Sequence, residues 1–441
     1  MICNLSRGTG AQCLVLVFPT VRGFAVLDNK YPETPLPSAC DPSRNPAGSG
    51  AAARRDGTAV TANAKAAAYF RRAFKPDALG DTFAYRAQWG SRFDFMFRFA
   101  NDRKRWVENL AQKTLYWTGA AGIWRRVLCR RGAVIQMYHS VSGRDGSRWI
   151  DPRFTIPPEA FEAQMRFLSA HRNVVSCSAL IDLLERDENP PAGTVAITLD
   201  DGYLDTLQVA APILEKYGLP AIAFLVTGYI DHGQTQWSDK LFSLFAAHTR
   251  TVDRIPEISP PIVDLRDAQA KAAAYEALLL WFMAALPDAR TAMLAALTDE
   301  FRPECMPPRL TMNWEEVRAL ARKHPSIEIG LHGAEHLDMT AHGEAVTQDE
   351  LDKCLRATQR ELGLRPDHFA FPYNRVSPAA RALVRQFGFR SAAASGDGVL
   401  ISNESDRLAL PRMETCRSLT LFRFRTGGAC PGLSRAVLGY P

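Results

Sequence analysis

From Ala133 onward, short apolar runs alternate with segments of helical period, and this alternation limits the fold more than any other feature of the chain. The runs AVIQMY, VAITL, AIAFLV, IEIGL, HFAF and RSAAAS are each four to six residues long, as strands buried on both faces are. Between them lie helical periods. PPEAFEAQMRFLSAHR puts Phe161, Met165 and Leu168 on one face and prolines at its start, and LDTLQVAAPILEKYG ends at Gly218. Asn313, with Glu316 three residues on, caps an expected helix from Trp314 to Lys323, and further helices are expected from Gln348 to Leu362 and over SPAARALVRQFG. Strands that alternate with helices are parallel and joined by crossovers, which leaves an open doubly wound sheet or a barrel of β/α units. No internal repeat is found.

The remaining segments flank or interrupt this pattern. Residues 240–310 contain YEALLLWFMAAL and TAMLAALTDEF and read as an inserted helical lid or subdomain. The longest uninterrupted apolar run, Ala277 to Leu286, is about half of the roughly 20 residues that a spanning helix needs. Residues 1–65, rich in Pro, Gly, Ser and Ala, read as a disordered tail, 66–132 as a basic helical extension, and 416–441 as a C-terminal tail. The apolar stretch LVLVF is closed at once by Pro19 and Arg22, a poor secretory signal, so a cytoplasmic or membrane-peripheral location is expected.

Charge divides the chain unevenly: residues 1–131 hold 21 Lys plus Arg against 9 Asp plus Glu, and the remainder 32 against 38. No nucleic-acid motif accompanies the basic front, so nucleic acid is not an expected partner. The segment 113–132, KTLYWTGAAGIWRRVLCRRG, interleaves aromatic and basic residues. It suits a helix packed on the catalytic domain with a solvated basic face, or one making peripheral membrane contact. Nine cysteines without a CxxC pair exclude a zinc ribbon or a thioredoxin-like motif and read as scattered reduced thiols.

Polar residues collect where the strands end. AVIQMY runs into His139, VAITL into Asp200 and Asp201, IEIGL into His332 with His336 four residues on, and HFAF into Pro372 and Tyr373. In α/β folds the βα loops at that end converge on one mouth. Two adjacent carboxylates at the end of a buried strand repel and lose hydration, so one is protonated or meets a cation; the alternative is an ordinary Asp-Asp-Gly turn. Two imidazoles and one carboxylate suit Zn²⁺ or another first-row divalent ion and leave a position open for water.

MYHSV, ITLDDGYLDT, EIGLHGAEHLDMT and FAFPYN, in this order, resemble the polysaccharide deacetylases with the NodB-homology domain, carbohydrate esterase family four. The resemblance spans residues 133–415 and implies a distorted (β/α) barrel that removes acetyl groups from N-acetylated glycans with a divalent metal, Zn²⁺ first and Co²⁺, Ni²⁺ or Mn²⁺ next. It implies Asp200 as general base, Asp201, His332 and His336 as metal ligands, and the backbone N–H of Tyr373 as oxyanion donor. Three departures stand out. Gly333 replaces a Ser or Thr that often follows the first metal histidine. Ala370 replaces an arginine that braces the catalytic Asp, leaving Arg390 or Arg412 as substitutes. LALPR occupies the place of a late histidine motif, so the proton donor falls to His139 or to Asp200 once protonated. The competing functional readings are an O-acetyl metalloesterase and a glycan-binding or assembly subunit without turnover.

Overall fold

All six apolar runs form strands, and a seventh joins them. In the computed structural model they are β1 (Ala133–Tyr138), β2 (Thr194–Leu199), β3 (Ala221–Leu225), β4 (Ile327–Leu331), β5 (His368–Ala370), β6 (Ser391–Ser395) and β7 (Leu410–Met413). The structure describes residues 132–427, with breaks at 144–147, 232, 256–261 and 396–399, together with 110, 112–114 and 117–119. The expected tail 1–65, nearly all of the extension 66–132 with its segment 113–132, and residues 428–441 lie outside the described residues.

The strands are parallel and follow the order β1-β7-β6-β5-β4-β3-β2, and β1 pairs back onto β2 from Ala133↔Thr194 to Tyr138↔Leu199. This closes a seven-stranded barrel and settles the choice between an open sheet and a barrel. Closure is uneven, since β5 meets β4 only through Phe369↔Leu331. The short strand Asn173–Val174 pairs with the start of β2, whose far end pairs with β3.

The two-residue period of the strands separates two cores. Val195, Ile197 and Leu199 of β2 with Ala221, Ala223 and Leu225 of β3 pack outward on Phe161, Met165 and Leu168 of the helix Pro158–His171 and on Val317 and Leu320 of Trp314–Lys323. The alternate residues Ile135, Ala196, Ile222, Phe224, Ala370, Ala393 and Leu410 form a separate cluster with Leu180, Ile181 and Leu184 of the helix Cys177–Glu185. That helix plugs the N-terminal end of the barrel. Gly330 makes room for this lumen, because a Cβ there would lie 2.5 Å from Cδ1 of Phe224.

Helix ends follow their local chemistry. Asn313 accepts from the Glu316 N–H while the Glu316 carboxylate accepts from the Asn313 N–H, the expected capping box. Gly218, at φ +63°, lets the chain turn out of the helix Ala211–Lys216. The insertion forms the helices Trp237–Ala247, Ala268–Ala284 and Pro287–Phe301 around its own core of Trp237, Leu241, Phe245, Leu278, Phe282 and Leu297. Among the described residues no helix is long and apolar enough to cross a membrane.

One boundary differs from expectation. Residues 416–441 read as a tail, yet Leu419–Arg425 is a helix whose Phe422 is fully buried against the helix Pro158–His171. The apolar residues of LTLFRF are too few to show a helical period in sequence, and burial on a preformed surface decides their state.

Candidate metal centre and active site

The sequence motifs meet at the C-terminal mouth of the barrel, and three of their residues hold backbones that side chains rarely adopt. Asp201, His336 and Tyr373 have φ of +76°, +52° and +58°, a left-handed conformation that costs about 1–3 kcal/mol and persists where the surroundings enforce it. The Asp-Asp-Gly segment is therefore a turn that also carries two of the candidate site carboxylates. Its second carboxylate is swung toward the histidines by that turn.

The histidine loop is pinned from several sides. The His332 N–H donates to the Leu225 carbonyl (2.8 Å), and the Gly228 N–H donates to the Ala334 carbonyl (2.8 Å). Glu350, buried in the helix Glu344–Leu362, accepts through Oε1 from the N–H groups of Ala334 (3.0 Å) and Glu335 (2.8 Å). Arg290, reaching in from the insertion and 2% exposed, donates to the carbonyls of Glu335 (2.7 Å) and His336 (3.3 Å). The Tyr373 hydroxyl donates to the same His336 carbonyl (2.8 Å). Nothing in the local sequence around Glu350 or Arg290 marks either as part of the site.

Gly333 has φ +88°, and a Cβ on it would lie 2.5 Å from Oε1 of Glu350. Glu350 fills the space that a serine or threonine side chain would need, so the departure at Gly333 is matched by a different loop support.

The three expected ligands converge. His332 Nε2 lies 3.2 Å from His336 Nε2, Asp201 Oδ1 lies 3.4 Å from His336 Nε2, and Asp201 Oδ1 lies 3.7 Å from His332 Nε2. Ligands about 2.0–2.1 Å from a tetrahedral zinc ion are separated by roughly 3.3 Å, so these atoms stand at the spacing that such an ion requires. His332 Nδ1 lies 2.7 Å from the Ala370 carbonyl, to which it donates, which leaves Nε2 with a free lone pair. Burial keeps both imidazoles below their ordinary pKa, His336 well below, which suits neutral ligands. The carboxyl of Asp201 is pushed up to about 8, by burial first and by the charge of Asp200 next. Its Oδ1, like Oδ2 of Asp200, is buried without a hydrogen-bond partner among the described residues. The donor set fits a divalent cation, which would relieve both.

Asp200 is the opposite case. Burial is the largest influence and favours its neutral form, but Arg412, His332 and His139 together hold its carboxyl below the ordinary value. Arg412 Nη1 donates to Asp200 Oδ1 (2.7 Å) and to Thr198 Oγ1 (3.3 Å), while Nη2 donates to Asn374 Oδ1 (2.7 Å). Of the two arginines offered as substitutes, Arg412 braces Asp200; Arg390 instead pairs with Asp182 (2.5 Å) and Glu185 (2.6 Å). Arg412 follows Pro411 on β7, a strand that the proline conceals in the sequence.

His139 follows β1 at the same mouth, with its ring 5.2 Å from that of Phe154. Its imidazole is pushed down to about 4, chiefly by burial; Asp200 is the next influence and pulls the other way, while Arg412 and His332 lower it further. A proton donor must carry its proton near neutrality, and burial opposes that charged form of His139.

Comparison with known proteins bears on the same region. The family model described as polysaccharide deacetylase matches residues 187–278 and 291–392. A Bacillus subtilis (strain 168) protein whose name places it among the polysaccharide deacetylases, YxkH, is 36% identical over 100 residues, covering 22% of this chain and 33% of that protein. The match thus spans about a third of that relative's length. Among solved structures, the Streptococcus pyogenes deacetylase PplD in complex with acetate aligns with TM-score 0.44 and 14% identity over 66% of this chain and 95% of that one. IcaB from Ammonifex degensii aligns with TM-score 0.44 and 17% identity over 68% and 97%. The matched stretches hold Asp200, Asp201, His332, His336 and Tyr373, so the part of the chain that carries these residues is similar to the polysaccharide deacetylases.

Proposed function

We propose that this protein is a metal-dependent hydrolase that removes N-acetyl groups from N-acetylglucosamine-type units of a poly- or oligosaccharide. The observation that carries the reading is the juxtaposition of a charged carboxylate, Asp200 on Arg412, with a second set of donors, Asp201, His332 and His336, spaced for one divalent ion. Asp201, His332 and His336 would hold that ion, Zn²⁺ by donor chemistry with Co²⁺, Ni²⁺ or Mn²⁺ as substitutes. When bound, it would polarise the acetyl carbonyl and acidify water.

The chain's own residues supply the rest. Asp200, ionised beside Arg412, takes the proton of the attacking water, and the Tyr373 N–H donates to the developing oxyanion. The leaving amine needs a proton from His139 or from Asp200 after it has been protonated. The neutral state of His139 favours Asp200 in that second role. The presence of a buried arginine dedicated to Asp200 favours turnover over a binding-only subunit, which would have no use for the expense of burying that pair. The N-acetylated glycan is the expected partner, reached from the C-terminal mouth.

The test is acetate release by the full chain from chitooligosaccharides and from acetylated xylan, with and without a chelator and with Zn²⁺ restored. Release from the chitooligosaccharide that stops with chelator, and that Asp200→Asn lowers by about a hundredfold while bound metal stays, supports the reading. Release from xylan alone would select the O-acetyl esterase, and release indifferent to chelator would remove the metal.

A further inference from the structure

A second group of ligand-type side chains lies at the other end of the barrel. Cys177, Glu328 and His368 each offer one ligand atom, and these atoms lie within 4.8 Å of one another. Glu328 is at the start of β4, four residues before His332, so the two clusters stand about 13 Å apart along the strand. His368 opens β5, and Cys177 opens the helix that plugs the barrel. Sequence inspection passes over them because they are far apart in the chain.

We propose that Cys177, Glu328 and His368 form a second metal site, for a zinc-class divalent ion that ties the plug helix to β4 and β5. Thiolate, imidazole and carboxylate are all zinc ligands, and three of them leave one position to solvent beside the half-buried Glu328. The charges also balance: a thiolate and a carboxylate cancel a divalent cation, so the filled site is neutral where Cys177 and His368 are 5% and 3% exposed. On binding, the sulfur–hydrogen bond of Cys177 breaks, its proton leaves to solvent, and the sulfur lone pair goes to the metal.

The surrounding groups are arranged as supports. The imidazole of His368 lies between two hydroxyls, with Nδ1 2.9 Å from Ser391 Oγ and Nε2 3.0 Å from Ser178 Oγ. One nitrogen can ligate while the other keeps its serine and fixes the ring. The Ser178 N–H donates to both oxygens of Glu328, at 3.3 and 3.2 Å, and so aims that carboxylate at the cluster. Burial and then the charge of Glu328 push the free thiol up to about 12.

The two sites can be told apart because only this one contains sulfur. The full chain is stripped of metal and loaded with Co²⁺, and a near-ultraviolet thiolate-to-cobalt charge-transfer band is expected in the wild type. Metal content should be about two ions per chain, falling to about one in Cys177→Ser and in His368→Ala, each of which loses the band. His332→Ala should lose the other ion and keep the band, so failure of the active-site reading does not touch this one. Absence of the band in the wild type overturns the proposal without reference to any variant. So does a band that survives Cys177→Ser, which would place the sulfur ligand elsewhere.

Discussion

Arg412→Met isolates what the site invests in Asp200. The guanidinium and the carboxylate are both 1% exposed and meet at 2.7 Å, a separation at which unit charges attract by roughly 6 kcal/mol for an effective dielectric of about 20. Desolvation offsets much of that attraction, but removing one partner leaves the other charge buried alone, at a cost on the order of 3–5 kcal/mol. Methionine also forfeits the hydrogen bonds to Thr198 and Asn374. The single variant therefore overstates the pair, and a double-mutant cycle with Asp200→Asn is needed, in which a coupling of about 2–3 kcal/mol is expected from urea unfolding.

The same cycle has a signature in pH. Asp200 is depressed in the folded state, so its contribution to stability is present above the unfolded value of 3.8 and is lost only as pH falls through the lower folded value. After burial, Arg412 is the largest influence on that carboxyl and the chief one lowering it. In Arg412→Met burial then prevails, the carboxyl rises, and the acid limb of kcat/KM moves to higher pH. Single effects that simply add in the double variant, or an acid limb that does not move, would refute the argument that Arg412 serves Asp200.

Three further outcomes are expected. His332→Ala, His336→Ala or Asp201→Ala should each lower bound metal by about one ion per chain and abolish acetate release together, and metal content unchanged in all three would place the ion elsewhere. Gly333→Ser should cost about 1–3 kcal/mol in urea unfolding and weaken metal binding, because it combines an unfavourable positive φ with a clash against Glu350; an unperturbed variant would mean that Glu350 does not hold the loop. His139 has a folded value of about 4 against an ordinary 6.5, so its neutral form is the one the fold keeps. Its contribution is complete above about 6.5 and is lost as pH falls toward 4, so His139→Gln should lose stability less steeply across that window. Equal slopes for variant and wild type would show that another group governs the acid side.

Much of the fold was legible because its signals are local. Each central strand is a run of apolar residues ending in a polar one, and the caps at Asn313 and Gly218 depend only on neighbours in the chain. The first carboxylates and the histidine pair could be found the same way, since a strand end and a spacing of four residues are sequence properties. β7 was not legible, because Pro411 lacks an N–H and breaks the apolar pattern, and the strand exists by pairing with β6 and β1 on either side. Nor was the helix Leu419–Arg425, whose stability comes from the surface that buries Phe422.

The sequence by itself determined which residue types stand at the strand ends and that the strands run parallel, for these follow from hydrophobic period and crossover length. Only the tertiary structure decided which distant groups serve them. Closure of β1 on β2 brings β7 round to β1 and places Arg412, not Arg390, on Asp200. The insertion sends Arg290 to the carbonyls of the histidine loop, and the helix Glu344–Leu362 sends Glu350 to its N–H groups. Barrel packing likewise brings Cys177, Glu328 and His368 together from three elements. A buried charge or an unpaired backbone group takes its partner from whatever the fold sets within about 3 Å, and that distance is not written in chain order.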